Sequence, residues 1–296
     1  MIDGYRDNQH HQSHGHTGDG HGNGHDVAGD MTALLDLDGE VLRDYWSAAL
    51  DWVTEAAGTA GKRLLDLGAG TGTGAIGLAR RFPDAEVIAV DVESGSLQLL
   101  RHKARELGLA QRVSAMEADL DDGWPDLGVL DLTWASMSLH HLADPGRVLR
   151  DVLNATSPAG LIAVAEFSQP LRFLPDDLGF GRPGMEARLA EVLGRAHAEA
   201  LPTLGSAWAP RLAEAGWNVT AERDFPIDLN PATHPDAARY ARAWFERLSR
   251  GFTDVVEPGD RATLAALLDP DGPRSLLRRT DLHIRGSRTI TVARRR

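Results

Sequence analysis

A glycine-rich segment holds the residues whose types and spacing are most informative about chemistry. It spans Asp66–Gly72 (DLGAGTG) and directly follows a short apolar run. Glycines in such a turn allow positive φ angles and let a ligand lie against the backbone, and a helix that begins there offers free N–H groups. Asp91 ends the next apolar run, at the position where an acid contacts ribose hydroxyls in nucleotide-binding sheets. The segment therefore predicts a site for a nucleotide-containing cofactor.

Two cofactor classes fit this segment, the nicotinamide dinucleotides and S-adenosylmethionine. The dinucleotide pattern needs Gly or Ala where this chain has Thr73, and the shifted frame Gly70-x-Gly72-x-x-Ala75 starts two residues late. Asp66 would repel a pyrophosphate but attract the ammonium group of S-adenosylmethionine. The same side chain could instead cap a neighbouring backbone. The residues favour S-adenosylmethionine, with a nicotinamide-dependent oxidoreductase as the alternative.

Four motifs in this order resemble the class I S-adenosylmethionine-dependent methyltransferase family, in its small-molecule branch. Asp66–Gly72 is similar to the family's first motif, and Asp91 to its ribose-binding acid. The pair Asp119-Leu120 resembles the acid and apolar residue beside adenine, and Trp134–Pro145 resembles the segment after the fourth strand. The resemblance covers residues 60–169 well, and residues 206–225 and 281–293 in outline.

The resemblance implies an α/β fold, a doubly wound Rossmann-like sheet of seven strands with the last strand antiparallel. It also implies S-adenosylmethionine as the cofactor and a binding site at the carboxyl ends of the strands. Tyr45 and Trp46, on the helix before the sheet, could cover the methionine end through cation–π attraction or could simply pack in the core. The expected cofactor-binding residues are Tyr45, Asp66, Gly68, Ala69, Gly70, Gly72, Asp91, Val92, Asp119, Leu120 and Trp134.

Three residues are candidates for catalysis. His140 and His141 follow the fourth strand and could supply a general base near neutral pH, although a packed, hydrogen-bonded histidine is the alternative. Glu166 ends the fifth strand and is the third candidate. Methyl transfer is an in-line displacement in which positioning can supply roughly 7–11 kcal/mol, so a base is needed only if the acceptor must lose a proton. We expect no metal at this site.

The composition excludes several classes of protein. The chain has 296 residues and no cysteine, which excludes disulfide frameworks, cysteine zinc sites, iron–sulfur clusters and a cysteine nucleophile. Its net charge of −12 argues against a general nucleic-acid or anionic-membrane surface. No apolar stretch approaches the roughly 18 residues that a membrane span needs, and no signal peptide is visible. We expect a cytoplasmic protein with a small-molecule acceptor as its partner; the oligomeric state is not predicted.

Strand and helix patterns alternate through the first part of the chain, which is typical of a parallel sheet covered on both faces. The predicted strands are Arg63–Leu67, Glu86–Val92, Arg112–Ala118, Leu130–Ala135, Leu161–Phe167, Trp217–Phe225 and His283–Ala293. The predicted helices are Leu34–Ala57, Ala75–Phe82, Ser94–Leu107, Pro145–Ala155, Met185–Ala200 and Ala207–Ala215, with further helix in residues 235–279.

Three segments lie outside this alternation. Residues 1–30 contain half of the chain's twelve histidines among Gly, Asn, Asp and Ser, and we expect a disordered tail that binds metal only incidentally. Met31 could be the true start. Residues 31–296 then form one methyltransferase domain, with helical lid or substrate insertions at about 170–205 and 230–279. A non-catalytic S-adenosylmethionine-binding protein and a metal-handling protein remain as alternatives.

Overall fold

The computed structural model describes residues 23–58, 61–230, 234–252 and 255–295. Its centre is a seven-stranded sheet in the order β3-β2-β1-β4-β5-β7-β6, in which β7 runs antiparallel to both of its neighbours. This order confirms the predicted Rossmann-like fold with an antiparallel last strand. The strands are β1 Arg63–Leu67, β2 Glu86–Asp91, β3 Val113–Glu117, β4 Leu130–Ser136, β5 Thr156–Arg172, β6 Asn218–Leu229 and β7 Ile284–Arg294.

Nine α-helices are described in these ranges. They are α1 Asn23–Val41, α2 Arg43–Ala57, α3 Thr73–Arg81, α4 Ser94–Glu106, α5 Pro145–Ala155, α6 Met185–Ala200, α7 Trp208–Glu214, α8 Ala237–Phe252 and α9 Pro258–Leu268.

The central strands are buried on both faces, so their side chains alternate between two apolar cores. Leu64 and Ala163 face a core that includes side chains of α2, α3 and α4, which we call the α2 face. Leu65 and Val164 face a second core shared with α5 and α7, which we call the α5 face. Both faces are covered by helices, so the carboxyl edge of the sheet is the position for a ligand site.

The leading helical region differs from the single helix predicted for Leu34–Ala57. The structure has two helices, α1 and α2, with a break at Leu42, whose backbone leaves the helical range (φ −94°, ψ 27°). Val41 and Leu42 are each 1% exposed, so the bend lets both helices bury apolar side chains. Helix α1 begins at Asn23, inside the segment predicted as a tail, whereas residues 1–22 lie outside the described residues.

Strands β5 and β6 are longer than the sequence predicts, whereas β7 keeps its predicted length and lies one residue later in the chain. Residues 157–160, between the predicted helix Pro145–Ala155 and the predicted strand Leu161–Phe167, form a bulge in β5, because Leu130 pairs with Thr156 and Leu132 already pairs with Leu161. At the other end, β5 continues to Arg172 through antiparallel pairing with β7, which satisfies its backbone groups. The three strands therefore extend beyond the parallel part of the sheet and form a wall at its carboxyl edge.

The two predicted insertions pack against each other beside α1. Phe173, at the end of β5, stacks edge-on against Tyr240 and Phe245 of α8, with ring centroids 5.5 and 5.9 Å apart. Arg188 of α6 makes two hydrogen bonds of 2.7 Å to Asp260 of α9. Among the described helices, none is both long and apolar enough to cross a membrane. The insertions thus form one helical layer above the wall of long strands.

Candidate active site

The glycine loop between β1 and α3 has a backbone that requires glycine. Gly68 has φ +69°, and a Cβ there would lie 2.2 Å from the Cβ of Ser138. Gly72 has φ +88°, immediately before α3, and a Cβ there would lie 2.5 Å from Leu100. The backbone N–H groups of Gly68 and Ala69 both donate to the carbonyl of Val90. The loop, where the sequence predicts a cofactor cradle, is therefore fixed between the carboxyl ends of β2 and β4.

Asp91 lies against this loop at the end of β2. Its Oδ2 accepts a 2.7 Å hydrogen bond from the N–H of Gly70, and its Oδ1 accepts one of 2.9 Å from the N–H of Glu93. A carboxylate has about four acceptor positions, so two remain for hydroxyl groups of a ligand. The predicted ribose-binding acid is thus held in place by the glycine loop itself.

Asp66, the acid before the first glycine, is buried beside the loop with a side-chain exposure of 2%. It accepts a hydrogen bond from the N–H of Ala75, but no described residue is hydrogen-bonded to its Oδ2. Burial, together with the nearby charge of Asp91, raises the pKa of Asp66 to about 7. One oxygen therefore accepts from the first turn of α3, and the other has no partner among the described residues.

Gly74 leaves the space that brings Asp66 close to Trp134. A Cβ at Gly74 would lie 2.7 Å from Oδ2 of Asp66 and 2.9 Å from Nε1 of Trp134. Trp134 is fully buried, and its Nε1 also has no hydrogen-bond partner in the described chain. Its ring lies 6.2 Å from that of Trp46 on α2. An apolar wall with two unpartnered polar atoms thus adjoins the glycine loop.

Helix α1 covers the glycine loop from the outside. Leu35 of α1 is the side chain nearest to Gly70, and Asp36 forms a 2.5 Å ion pair with Lys103 of α4. Lys103 also donates to the carbonyl of Thr71 in the loop. Entry of a ligand to the loop therefore depends on the position of α1.

The other predicted cofactor residues directly follow the carboxyl ends of β2 and β3. Val92 is 49% exposed beside Asp91, and the N–H of Ala118 donates to the carbonyl of Asp91. Asp119 accepts a hydrogen bond from the N–H of Asp121, whereas Leu120 is buried in the α5-face core. The hydrogen bond from Ala118 thus connects residues 118–120 to Asp91. The Leu120 side chain, however, packs away from the glycine loop.

The predicted catalytic residues separate into a buried pair and an exposed neighbour. Nδ1 of His140 lies 2.7 Å from Oε2 of Glu166, and the two side chains are only 5% and 3% exposed. His141 is exposed, and its ring centroid is 4.2 Å from that of His140. A histidine oriented by a buried carboxylate is an arrangement that can hold or move a proton.

A second buried charge at this edge was not predicted from the sequence. Arg288 of β7 is 2% exposed and donates through Nη1 and Nη2 to Asp38 of α1. Asp38 also accepts hydrogen bonds from Trp46 Nε1 and from the hydroxyl of Tyr240. One sequence feature could have identified Arg288. It lies two residues before the buried Ile290 in β7, so both side chains face the core.

Several buried polar atoms at this edge have no hydrogen-bond partner within the described ranges. Such atoms are costly, about 1–3 kcal/mol each, and are characteristic of sites that bind polar ligands. They are Tyr45 Oη, Asp66 Oδ2, Trp134 Nε1, Ser136 Oγ, Glu166 Oε1 and Arg288 Nε.

Comparison with known proteins finds a domain match and several similar sequences. The sequence model of a methyltransferase domain matches residues 64–160. A demethylmenaquinone methyltransferase of Clavibacter sepedonicus is 37% identical over 114 residues, which are 38% of this chain and 44% of that protein. The ubiquinone/menaquinone biosynthesis C-methyltransferase UbiE of Pasteurella multocida is 29% identical over 150 residues, 50% of this chain and 54% of that protein. The chain spans about a third to a half of the length of the curated relatives it matches.

Solved structures show the same fold. A Bacillus halodurans protein assigned as a methyltransferase aligns with a TM-score of 0.53 and 17% identity, over 84% of this chain and 99% of that one. The YcgJ protein of Bacillus subtilis aligns with a TM-score of 0.50 and 16% identity over the same shares. At this identity the likeness concerns the fold alone. Residues 64–160 therefore match a methyltransferase domain, and the sheet has the fold of the class I S-adenosylmethionine-dependent methyltransferases.

Proposed function

We propose that this protein transfers a methyl group from S-adenosylmethionine to a small-molecule acceptor at the carboxyl ends of β4 and β5. The observation that carries the proposal is Asp66, a buried carboxyl group beside a glycine loop with one oxygen unpartnered among the described residues. A cationic ammonium group is the chemistry that such a carboxylate binds best. A pyrophosphate, which is anionic, would be repelled there.

The residues present fit this cofactor. Asp66 would hold the ammonium group, and the free acceptor positions of Asp91 would receive the ribose hydroxyls. When bound, S-adenosylmethionine supplies an electrophilic methyl group, which the acceptor attacks in line while the sulfur keeps the bonding electron pair. Helix α1, which covers the loop through Leu35 and the Asp36–Lys103 pair, would exclude water.

His140 and Glu166 supply the proton chemistry in this proposal. We assign the Nδ1 proton of His140 to the hydrogen bond with Glu166, which leaves Nε2 as the nitrogen that accepts a proton. Glu166 orients the imidazole, as a carboxylate does for a histidine base in hydrolases. The pair would therefore remove a proton from an acceptor that carries one.

The acceptor class follows from charge and from the relatives. A net charge of −12 opposes a nucleic-acid acceptor, and the polar groups of the site are buried rather than spread over a surface. The relatives in Clavibacter sepedonicus and Pasteurella multocida are named for menaquinone and ubiquinone methylation. Demethylated quinols are therefore the first acceptors to assay, with transfer of isotopically labelled methyl groups as the measurement.

Calorimetric titration with S-adenosylmethionine, S-adenosylhomocysteine, NAD and Zn²⁺ tests the cofactor assignment. We expect micromolar binding of the first two ligands to the full chain, because several charged and hydrogen-bonding groups meet at the loop. A protein starting at Met31 separates binding of Zn²⁺ by the histidine-rich segment from binding at the site. Tight binding of NAD with no response to S-adenosylmethionine would contradict the proposal.

Replacing Asp91 by Ala should weaken the binding of S-adenosylmethionine about ten- to hundredfold. The change removes charged hydrogen bonds to the ribose that are worth about 1.5–3 kcal/mol. It also removes the acceptor for the N–H groups of Gly70 and Glu93, so a thermal melt of each variant must accompany the titration. Asp91→Asn is the matched variant, which keeps one acceptor oxygen and should lose less. Unchanged affinity in Asp91→Ala would remove this residue from the site.

A further inference from the structure

Met137 has a backbone conformation that L-amino acids adopt only at a cost in free energy. Its φ is +57°, and it is the only residue other than glycine with a positive φ in the described ranges. It directly follows the last residue of β4, at the carboxyl edge of the sheet. Glycine adopts this conformation without strain, and Gly68, Gly70 and Gly72 do so in the adjacent loop. A long side chain thus stands at a position where the backbone alone favours glycine.

Contacts on both sides of Met137 impose this conformation. Its N–H donates to the carbonyl of Ala165 at 2.9 Å, which continues the pairing of β4 with β5. The next residue, Ser138, donates from Oγ to the carbonyl of Leu67 at 2.8 Å, and its Cβ lies against Gly68. The chain therefore has to turn from β5 toward β1 within one residue. Met137 thus lies between the glycine loop and the end of β5, where the cofactor and the proposed acceptor would meet.

In the described chain, the side chain of Met137 belongs to neither apolar core. It is half-buried, but it is not one of the side chains that form the described α2-face and α5-face cores or pack against them. Core packing therefore does not explain why a methionine occupies this strained position. Its unbranched thioether chain is flexible and adapts to apolar surfaces of irregular shape. The exposed part of the side chain is available to a ligand at the carboxyl edge of the sheet.

We propose that Met137 is a specificity-determining residue, whose side chain makes an apolar contact with the acceptor beside the reacting atom. This rests on the proposed methyl transfer, in which the acceptor lies at the ends of β4 and β5. An acceptor with an apolar group next to the reacting atom then binds better than one with a charged group there. The reason is that a thioether is a weak hydrogen-bond partner and cannot replace the water that a charged group would lose. The strained backbone is the cost of presenting this side chain at the site.

The experiment uses isopropylbenzene and benzoate as probes, because both carry a branched group on a ring but only benzoate is charged. The full chain is saturated with S-adenosylhomocysteine, and the ε-methyl groups of its five methionines are labelled with carbon-13 for NMR. The signal that is missing in Met137→Leu assigns Met137. We expect isopropylbenzene to bind at least about tenfold more tightly than benzoate and to show a nuclear Overhauser effect to this methyl group. The signals of Met116 and Met185, which pack in the cores, should not shift.

Three variants separate the apolar contact from the backbone. Met137→Asn, a residue that tolerates positive φ but is polar, should bind isopropylbenzene about tenfold more weakly. Met137→Leu keeps an apolar side chain and should stay within about threefold of the wild type. Met137→Gly loses the contact but relieves the strain, so its melting temperature should lie within about 3 °C of the wild-type value. All three variants should bind S-adenosylhomocysteine as the wild type does.

The wild type alone can overturn the inference. It is overturned by equal binding of the two probes, by no binding of isopropylbenzene, or by a bound probe without an Overhauser effect to Met137. A melting temperature of Met137→Gly more than about 10 °C below the wild-type value would assign the side chain to packing, and would overturn it as well. Failure of the wild type to bind S-adenosylhomocysteine would instead overturn the proposed function.

Discussion

Replacing His140 by Ala should lower kcat by about 10²–10⁴-fold, the usual contribution of a positioned general base. The affinity for S-adenosylhomocysteine should stay within about threefold, less than 1 kcal/mol, because His140 lies at the ends of β4 and β5 and not on the glycine loop. Steady-state kinetics and calorimetry on the same preparation measure both quantities.

Two further variants separate catalysis from packing. Glu166→Gln keeps the shape and one hydrogen bond but loses the charge that orients His140, so we expect a smaller loss of kcat. His141→Ala is the matched control, because its side chain is exposed, and the geometry assigns the base to His140. Full turnover in His140→Ala would contradict the assignment. Loss of cofactor binding with the fold retained would place the acceptor pocket elsewhere.

The sequence predicts best those elements whose ends carry strong local signals. Strand β1 and helix α5 have the predicted bounds, since β1 runs into glycines and α5 starts with Asp144 as a capping acceptor and Pro145 in its first turn. The glycine loop and Asp91 also meet as predicted, because the ends of parallel strands lie at one edge. In this part of the chain the local sequence pattern and the sheet topology specify the same arrangement, so the predicted elements match the structure.

Contacts between distant parts of the chain could not be predicted in the same way. Asp38 and Arg288 are 250 residues apart and belong to α1 and β7, which the alternating pattern does not relate. The extension of β5 to Arg172 depends on pairing with β7, so no local signal marks its end. The sequence does show charged residues in apolar surroundings. Glu166 follows an apolar strand, and Arg288 lies two residues before Ile290, on the same face of its strand. Such residues point to a buried polar site but not to their partners.

The affinity for S-adenosylmethionine should depend on pH through Asp66. In the free protein the pKa of Asp66 is raised from 3.8 to about 7, chiefly by burial. An ammonium ligand needs the ionised form, so binding below pH 7 must release a proton. We therefore expect the Kd to fall about tenfold per pH unit between pH 5 and 7 and to level off above pH 7, while the ligand's amino group stays charged. Calorimetry in buffers of different ionisation enthalpy also measures the released proton.

The raised pKa of Asp66 also affects the folding stability of the free protein, in the opposite direction. Stability falls as the pH rises, whereas the affinity for the cofactor increases. A raised pKa means that folding favours the protonated carboxyl, so its contribution is complete below pH 4 and is lost as the pH rises through 7. For Asp66 this is about 4 kcal/mol of unfolding free energy in the free protein. Bound cofactor should remove most of that loss, because its ammonium group stabilises the ionised form. Denaturant unfolding at pH 5 and pH 8, with and without S-adenosylhomocysteine, measures the difference.

Asp66→Asn separates this charge effect from the capping role. Asn keeps an oxygen for the N–H of Ala75 but cannot ionise, so the free variant should lose the pH-dependent part of its stability. Its affinity for S-adenosylmethionine at pH 8 should fall about 10²–10³-fold, equivalent to about 3–4 kcal/mol, because a buried charge is left without its partner. As the pH falls from 7 toward 4 the variant and the wild type should converge, because the wild-type carboxyl then becomes neutral as well. If the variant keeps wild-type affinity at pH 8, Asp66 serves only to cap α3, and the ammonium group must be bound by another residue.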